Sequence, residues 1–321
     1  MKLPKLAHIP TLEDIEQTHE AIRSMVHRTP VMTCQSINKI SGANIFFKCE
    51  NFQKIGAFKV RGASSASLRL TEEEKKCGLA THSSGNHAQA VSRSAQLLGI
   101  PAYIVMPKNA PSIKKAATKG YGAEITFCEP TLQARETTLQ GILDQTGATF
   151  IHPYDDYNII AGQATAAKEL VEDAGNDFDM LMAPVGGGGI ACGTALIANY
   201  LLPNGIAIGA EPKMVDDAYR SFKSKQLQFN DTTATIADGL RTNLSEKTLD
   251  ILLRYMEDII TVEEQEIIDA MRLIWERMKI IIEPSCAVPL AAVLREKERF
   301  RGKKIGIIIT GGNVDLGNLP F

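Results

Sequence analysis

Short apolar, β-branched runs alternate with longer stretches of helical periodicity along almost the whole chain. Runs at Asn44–Cys49, Pro101–Met106, Glu124–Cys128, Thr149–His152, Met180–Pro184, Ile206–Glu211, Ile259–Val262 and Lys304–Thr310 predict strands, and Gly78–His82 reads as a further β-like run. Several are apolar without polar alternation, the pattern of strands covered on both faces in a parallel sheet. Between them the period lengthens. Thr11–Val26 predicts a helix that opens on a capping box of Thr11 and Asp14. Glu263–Lys279 carries Ile267, Ile268, Met271, Ile274, Trp275 and Met278 on one stripe, and Ala90–Leu98 is a third helical run. The alternation predicts an α/β fold of parallel-type sheets flanked by helices. Strands near 101–152 form one compact set and those of 180–310 another, so the expected ligand site is a cleft between two lobes. No repeat, low-complexity stretch or linker interrupts the pattern.

Composition narrows the function. The 321 residues are 44% hydrophobic and 22% charged, with 35 Lys+Arg against 37 Asp+Glu and a formal net charge of −2. That is an ordinary globular balance, without a block of like charge to draw a nucleic acid or an anionic membrane. The six cysteines (34, 49, 77, 128, 192 and 286) show no CxxC and no regular spacing, which points to reduced, buried thiols. Met1–Glu16 lacks an apolar signal region, and no run reaches the length of a membrane helix. The expectation is a cytoplasmic protein that handles a small charged metabolite.

Four segments carry candidate chemistry. In Gly56-Ala57-Phe58-Lys59-Val60-Arg61-Gly62-Ala63 a lysine stands between a small-residue turn and a helix start. A lysine that loses hydration there has a depressed pKa and becomes a Schiff-base nucleophile. Ser83-Ser84-Gly85-Asn86-His87-Ala88 lies between a β-like run and a helix, where exposed N–H groups can cradle a carboxylate; it also reads as a plain N-cap. Pro184-Val185-Gly186-Gly187-Gly188-Gly189-Ile190-Ala191 follows a strand, and four glycines at such a junction suit backbone amides closing round a phosphate. Thr310-Gly311-Gly312-Asn313 ends the last strand and aims a hydroxyl at the ligand crevice. Glu211 and Asp217 offer oxygen ligands for Mg2+ or Ca2+, or are simply solvated carboxylates. A rival reading remains: Gly186-x-Gly188-x-x-Ala191 with Glu211 ending the next strand fits a dinucleotide fingerprint, hence an NAD-dependent dehydrogenase. That reading gives Lys59 and Ser83–His87 no task. A sensor binding an amino acid without turnover fits the cleft but not the lysine.

In this order, Phe-Lys after a small-residue turn, Ser-Gly-Asn-His, tetraglycine and a terminal Gly-Gly-Asn resemble the two-domain, fold-type II pyridoxal-phosphate enzymes of tryptophan synthase beta type. The resemblance spans essentially the whole chain and is nearest to the serine racemase and serine/threonine dehydratase group. His27–Val31, Ile160–Gln163, Ile236–Gly239 and Trp275–Lys279 support it. It implies a large cofactor-binding domain of residues 1–52 and 156–321, a small domain of 53–155, and a homodimer. It also implies the site. Lys59 would hold the cofactor covalently and shuttle the Cα proton, Phe58 would pack on its ring, and Asn86 would bond its ring hydroxyl. Gly186, Gly187, Gly188 and Gly189 would hold the phosphate, and Thr310 would meet the pyridine nitrogen with Glu283 nearby. Ser84 would be the acid/base on the opposite face. Ser83 and His87 would bind the substrate carboxylate, with Arg135 at the edge of the site. Glu211, Val215 and Asp217 match the group's metal ligands for Mg2+, Ca2+ or Mn2+.

The implied activity is interconversion of L- and D-serine, together with elimination of water from L-serine or L-threonine to give pyruvate or 2-oxobutanoate and ammonia. Racemisation needs a proton donor on each face of Cα, and Ser84 supplies the second. Arg135 can bind a second carboxylate bidentately, which makes threo-3-hydroxyaspartate an alternative substrate. The chain departs from animal racemases at their ATP-binding positions, where it has Cys34, Gln35, Ser36 and Ile55, so ATP activation is not expected. With Phe321 following soon after Gly-Gly-Asn, a regulatory domain like that of biosynthetic threonine deaminases is not expected.

Overall fold

The computed structural model describes residues 3–83, 85–110 and 112–321. Among them the strands are β1 (Val31–Thr33), β2 (Asn44–Cys49), β3 (Leu79–His82), β4 (Ala102–Pro107), β5 (Glu124–Cys128), β6 (Thr149–Phe150), β7 (Met180–Pro184), β8 (Ile206–Pro212), β9 (Asp258–Val262) and β10 (Lys304–Ile309). They form a larger sheet in the order β1-β2-β10-β7-β8-β9 and a smaller one in the order β5-β4-β3-β6. Every pairing is parallel except β1 with β2. Parallel neighbours require crossovers, and helices supply them on both faces of the larger sheet. The fold is the expected α/β architecture.

The apolar runs have a hidden period of two. Ile45, Phe47, Met180, Met182, Ile305, Ile307 and Ile309 pack with the helices Glu264–Met278 and Val288–Arg295. Leu181, Ala183 and Ile308, the intervening residues, pack with Tyr157–Ala174, Gly189–Leu201 and Glu246–Tyr255. Both faces are dry, so both parities are hydrophobic. The smaller sheet buries Leu79, Ile104 and Met106 against the helices Lys59–Ser67 and Asn86–Leu98.

Boundaries differ from expectation where local signals mislead. The capping box of Thr11 and Asp14 forms, but its helix is Leu12–Ile22 rather than Thr11–Val26. Met25 and Val26 prolong the apolar pattern because they join the core as irregular chain beyond the helix end. Strand β1 escaped the pattern because it is a three-residue antiparallel edge. Among the described residues no helix is long and apolar enough to cross a membrane.

The helix Lys59–Ser67 is buried from Val60 onward, which accounts for its small side chains. It crosses Tyr157–Ala174 at Gly62 and Gly162. A Cβ on Gly162 would lie 2.5 Å from the Arg61 carbonyl oxygen, and one on Gly62 would lie 2.4 Å from Gln163 Nε2. Only glycine permits that approach.

Arg61 ties the same helix to the larger sheet. Its fully buried guanidinium donates from Nε to Glu50 Oε2 at 2.7 Å and from Nη2 to Glu50 Oε1 at 2.8 Å. It also reaches Glu169 through Nη1 (2.9 Å) and Nη2 (2.7 Å), Thr165 Oγ1 and the His27 carbonyl. Lys48 on β2 joins Glu169 at 2.7 Å and donates to the Thr29 carbonyl. Opposite charges and hydrogen bonds hold Glu169 well below the usual carboxylate range despite its burial.

Candidate active site

The carboxyl ends of β3, β7 and β10 converge, as expected for ligand sites in parallel sheets. The end of β10 turns onto the segment before Lys59. Ala57 and Gly311 form an antiparallel bridge, Phe58 N donates to the Thr310 carbonyl at 2.9 Å, and Gly312 N donates to the Gly56 carbonyl at 2.9 Å. Thr310 is thereby fixed beside the start of the lysine helix. The turn itself is strained: Ile55, a β-branched residue, sits at φ 61 ahead of Gly56 at φ 68. Asn313 Nδ2 holds the Ile55 carbonyl at 2.7 Å.

Lys59 Nζ donates to the Pro153 carbonyl at 2.9 Å and lies 5.2 Å from the centroid of the buried Phe58 ring. Enclosure of the amino group lowers its pKa to about 8, with the charge of Glu283 opposing that shift.

Asn86 opens its helix and faces Glu283, donating from Nδ2 to Oε1 at 2.9 Å and to Oε2 at 3.2 Å; its Oδ1 accepts from Asn313 Nδ2 at 2.9 Å. Burial, aided by the charge of Asp238, pushes Glu283 up to about 7, while Lys114 and Asn86 oppose it. The Thr310 hydroxyl lies 3.3 Å from Cys286 Sγ.

The tetraglycine loop is a cradle. Gly186 to Gly189 are buried, Gly188 takes φ 92, and Gly189 begins the helix Gly189–Leu201. Among the described residues the N–H groups of these four glycines meet no acceptor, so buried donors face an open position at a helix N-terminus. Side chains are excluded as well as unneeded. A Cβ on Gly187 would fall 2.3 Å from Tyr154 Cδ1, and one on Gly186 would fall 2.9 Å from Leu240 Cα.

His87 is fully enclosed, and its Nε2 donates to the Ile151 carbonyl at 2.9 Å while Nδ1 has no partner. Burial, with the Lys59 charge adding to it, keeps this imidazole neutral. The ring therefore cannot donate to a carboxylate; only its main-chain N–H, in the first helical turn, can. Ser83 Oγ accepts from Gly85 N at 3.2 Å. Ser84 lies outside the described residues. Arg135 stands on the helix Leu132–Thr146, where its Nε donates to the Thr131 carbonyl at 3.4 Å. Burial, and then the Arg135 charge, lower His82 to about 4.

Glu211, the last residue but one of β8, is fully buried and accepts from Ala218 N at 3.1 Å and Tyr219 N at 2.9 Å. It turns inward and cannot meet a ribose hydroxyl, which removes the dinucleotide reading of the glycine loop. Asp217 accepts from Leu244 N at 2.9 Å and Asn230 Nδ2 at 2.5 Å. Burial raises Glu211 well above its usual range, with the Asp217 charge adding to it, and raises Asp217 to about 6. Among the described residues neither makes an ion pair, and no cluster of three or more His, Cys, Asp or Glu could hold a metal.

Some contributors carried no local signal. Tyr154 covers the glycine loop and continues a row of rings, with His152 at 4.7 Å, Phe150 at 5.4 Å beyond it, and His82 at 5.8 Å from Phe150. Lys114 bonds Asp238 at 2.6 Å across the two sheets' elements.

The comparisons agree with this geometry. The family model of pyridoxal-phosphate dependent enzymes matches residues 22–311. The chain is 48% identical to the beta-hydroxyaspartate dehydratase of Paracoccus denitrificans over 314 residues, 98% of this chain and 99% of the relative. It is 47% identical to the serine racemase of Dictyostelium discoideum, over 96% of each chain. The crystal structure of that racemase superposes with a TM-score of 0.91, covering 96% of this chain and 100% of the other. With an enclosed lysine, a glycine cradle and a family match across most of its length, this chain belongs to the pyridoxal-phosphate dependent enzymes.

Proposed function

We propose that the protein is a serine racemase and L-serine (L-threonine) dehydratase that uses pyridoxal 5'-phosphate. The observation that carries this reading is one pairing: the enclosed Lys59 amine at one end of the crevice, and four unmet glycine amides at the other. The cofactor, when bound, supplies an electron sink that acidifies the Cα–H of an amino acid. The protein does the rest. Gly186 to Gly189 hold the phosphate, Phe58 packs on the ring, Asn86 meets the ring hydroxyl and Thr310 the pyridine nitrogen. A neutral hydroxyl there does not keep the nitrogen protonated, which suits elimination and racemisation. Ser83 and the His87 main-chain N–H receive the substrate carboxylate. Lys59 Nζ takes the Cα proton on one face, and the Ser84 hydroxyl returns one on the other. When the β-hydroxyl leaves instead, hydrolysis of the enamine gives a keto acid and ammonia. Residues 53–155, around the smaller sheet, form one wall of the cleft in this reading, and 1–52 with 156–321 the other.

A second reading, dehydration of threo-3-hydroxyaspartate, is favoured by one observation: the charge of Arg135 is near enough to be felt by His82 at the end of β3. The Paracoccus relative and a Saccharomyces cerevisiae relative named L-threo-3-hydroxyaspartate ammonia-lyase, 44% identical, fit it. One experiment weighs both. Incubation with L-serine, D-serine, L-threonine and threo-3-hydroxyaspartate, with keto acid and enantiomers measured together, is expected to show D-serine and pyruvate from L-serine. Keto acid from hydroxyaspartate alone would replace the first reading with the second, and no turnover of any would overturn both. Ser84→Ala is expected to depress racemisation by about 10²-fold or more while elimination falls far less; equal losses would remove the two-face assignment.

Glu211, Asp217 and the Val215 carbonyl are assigned to a divalent cation, because two unpaired buried carboxylates need a compensating charge. The cation is structural in this reading. Adding Mg2+, Ca2+ or Mn2+ to chelator-treated protein is expected to raise Tm, since a ligand at about 100 times its Kd adds about 2.7 kcal/mol. A Tm indifferent to all three would refute the site.

A further inference from the structure

The thiol of Cys286 lies against the hydroxyl assigned to the pyridine nitrogen, and its hydrogen bonds leave it one protonation pattern. Cys286 closes the short turn Pro284–Cys286, just after Glu283, and is fully buried. Its sulfur is 2.8 Å from the Gly311 carbonyl oxygen and 3.0 Å from Gly311 N. Gly311 O, which also accepts from Glu283 N at 3.1 Å, has a second lone pair and is the nearer acceptor, so the thiol proton is assigned to it and the sulfur accepts from Gly311 N. No proton remains for the third contact. Towards Thr310 Oγ1, at 3.3 Å, the sulfur can only accept, and among the described residues that hydroxyl has no other hydrogen bond. Burial, with the charge of Glu283 adding to it, holds Cys286 in the thiol form.

We propose that Cys286 is a positioning residue for the Thr310 hydroxyl: it orients the O–H as a donor while offering only a weak sulfur acceptor, so that the O–H, its proton kept, readily turns its hydrogen bond to the ring nitrogen of the cofactor. A hydroxyl in place of the thiol would make the same two bonds to Gly311 but accept more strongly from Thr310, and would compete with the ring. The proposal rests on the assignment of Thr310 to the pyridine nitrogen.

Three variants test it, each resolved from its cofactor with hydroxylamine and titrated with pyridoxal 5'-phosphate, with Tm followed alongside. Cys286→Ser keeps the Gly311 bonds, so Tm should hold while the affinity for pyridoxal 5'-phosphate falls by roughly three- to tenfold. Cys286→Ala leaves Gly311 N unpaired, while Gly311 O keeps the bond from Glu283 N, so Tm should fall while affinity stays within about twofold of the parent. The orders of stability and of affinity are thus opposite, which a merely structural cysteine would not produce. In a Thr310→Ala background the effect of Cys286→Ser should vanish. Unchanged affinity in Cys286→Ser, or a loss that persists without the Thr310 hydroxyl, would overturn the proposal while leaving Thr310 in place. If Thr310→Ala itself binds the cofactor as tightly as the parent, the assignment beneath the proposal fails and the proposal with it.

Discussion

Lys59→Ala is expected to lower both racemisation and elimination by about 10³-fold or more, because it removes the covalent anchor and the proton carrier together. Its fold should survive, since the side chain contributes one hydrogen bond, to the Pro153 carbonyl. Borohydride reduction separates the two roles from simple misfolding: the parent should gain the mass of the reduced cofactor, and the variant should not. A variant that fixes cofactor as the parent does would remove Lys59 from the mechanism. The pH dependence follows from the same amine. With its pKa lowered to about 8 from the ordinary lysine value of about 10.5, half the amine is neutral near pH 8, roughly two orders of magnitude more than for a solvated lysine. Capture of pyridoxal 5'-phosphate by the cofactor-free protein should therefore speed up as pH rises to about 8 and level off above it. Stability moves with the same sign. Below about 8 burial opposes the charged amine in full, and the penalty fades between about 8 and 10.5, where the unfolded chain binds more protons.

Arg61→Met is expected to cost roughly 3–5 kcal/mol, because it leaves Glu50 and Glu169 buried with Lys48 as the cation beside Glu169. In thermal unfolding that is a fall in Tm on the order of 10 °C. Arg61→Lys should recover only part of it, since an ammonium cannot reproduce the paired bonds to two carboxylates. A change under about 1 kcal/mol in Arg61→Met would mean that the cluster is no longer paired in solution. The two residues lie on one helix, so their losses should differ in kind: one abolishes chemistry in a stable protein, the other loosens the protein around an intact lysine.

Local chemistry made much of this readable in the chain. Tetraglycine, the Phe-Lys turn and the Ser-Gly-Asn-His start each demand particular residue types at fixed spacing, and parallel strands betray themselves by being apolar on both parities. The rest depends on partners distant in sequence. Pro153 reaches Lys59 across 94 positions, Lys114 meets Asp238 across 124, and Cys286 meets Thr310 across 24. No periodicity encodes such contacts. Strand β6 shows the same limit: its pattern runs to His152, yet the strand spans only Thr149–Phe150, with one further bond from Ile151 N to the Ala80 carbonyl before the chain turns towards Lys59.

That departing stretch has a genetic consequence. Within residues 151–154, Ile151 receives both Thr81 and His87, Pro153 receives Lys59, and Tyr154 lies on the glycine loop. None of the four has an assigned part in the reaction. Ile151 and Pro153 act through main-chain carbonyls that most substitutions keep, so the null-like alleles here would be those that shift the backbone, such as a deletion, together with changes at Tyr154, and a screen would score them as part of the reaction with every reactive side chain intact.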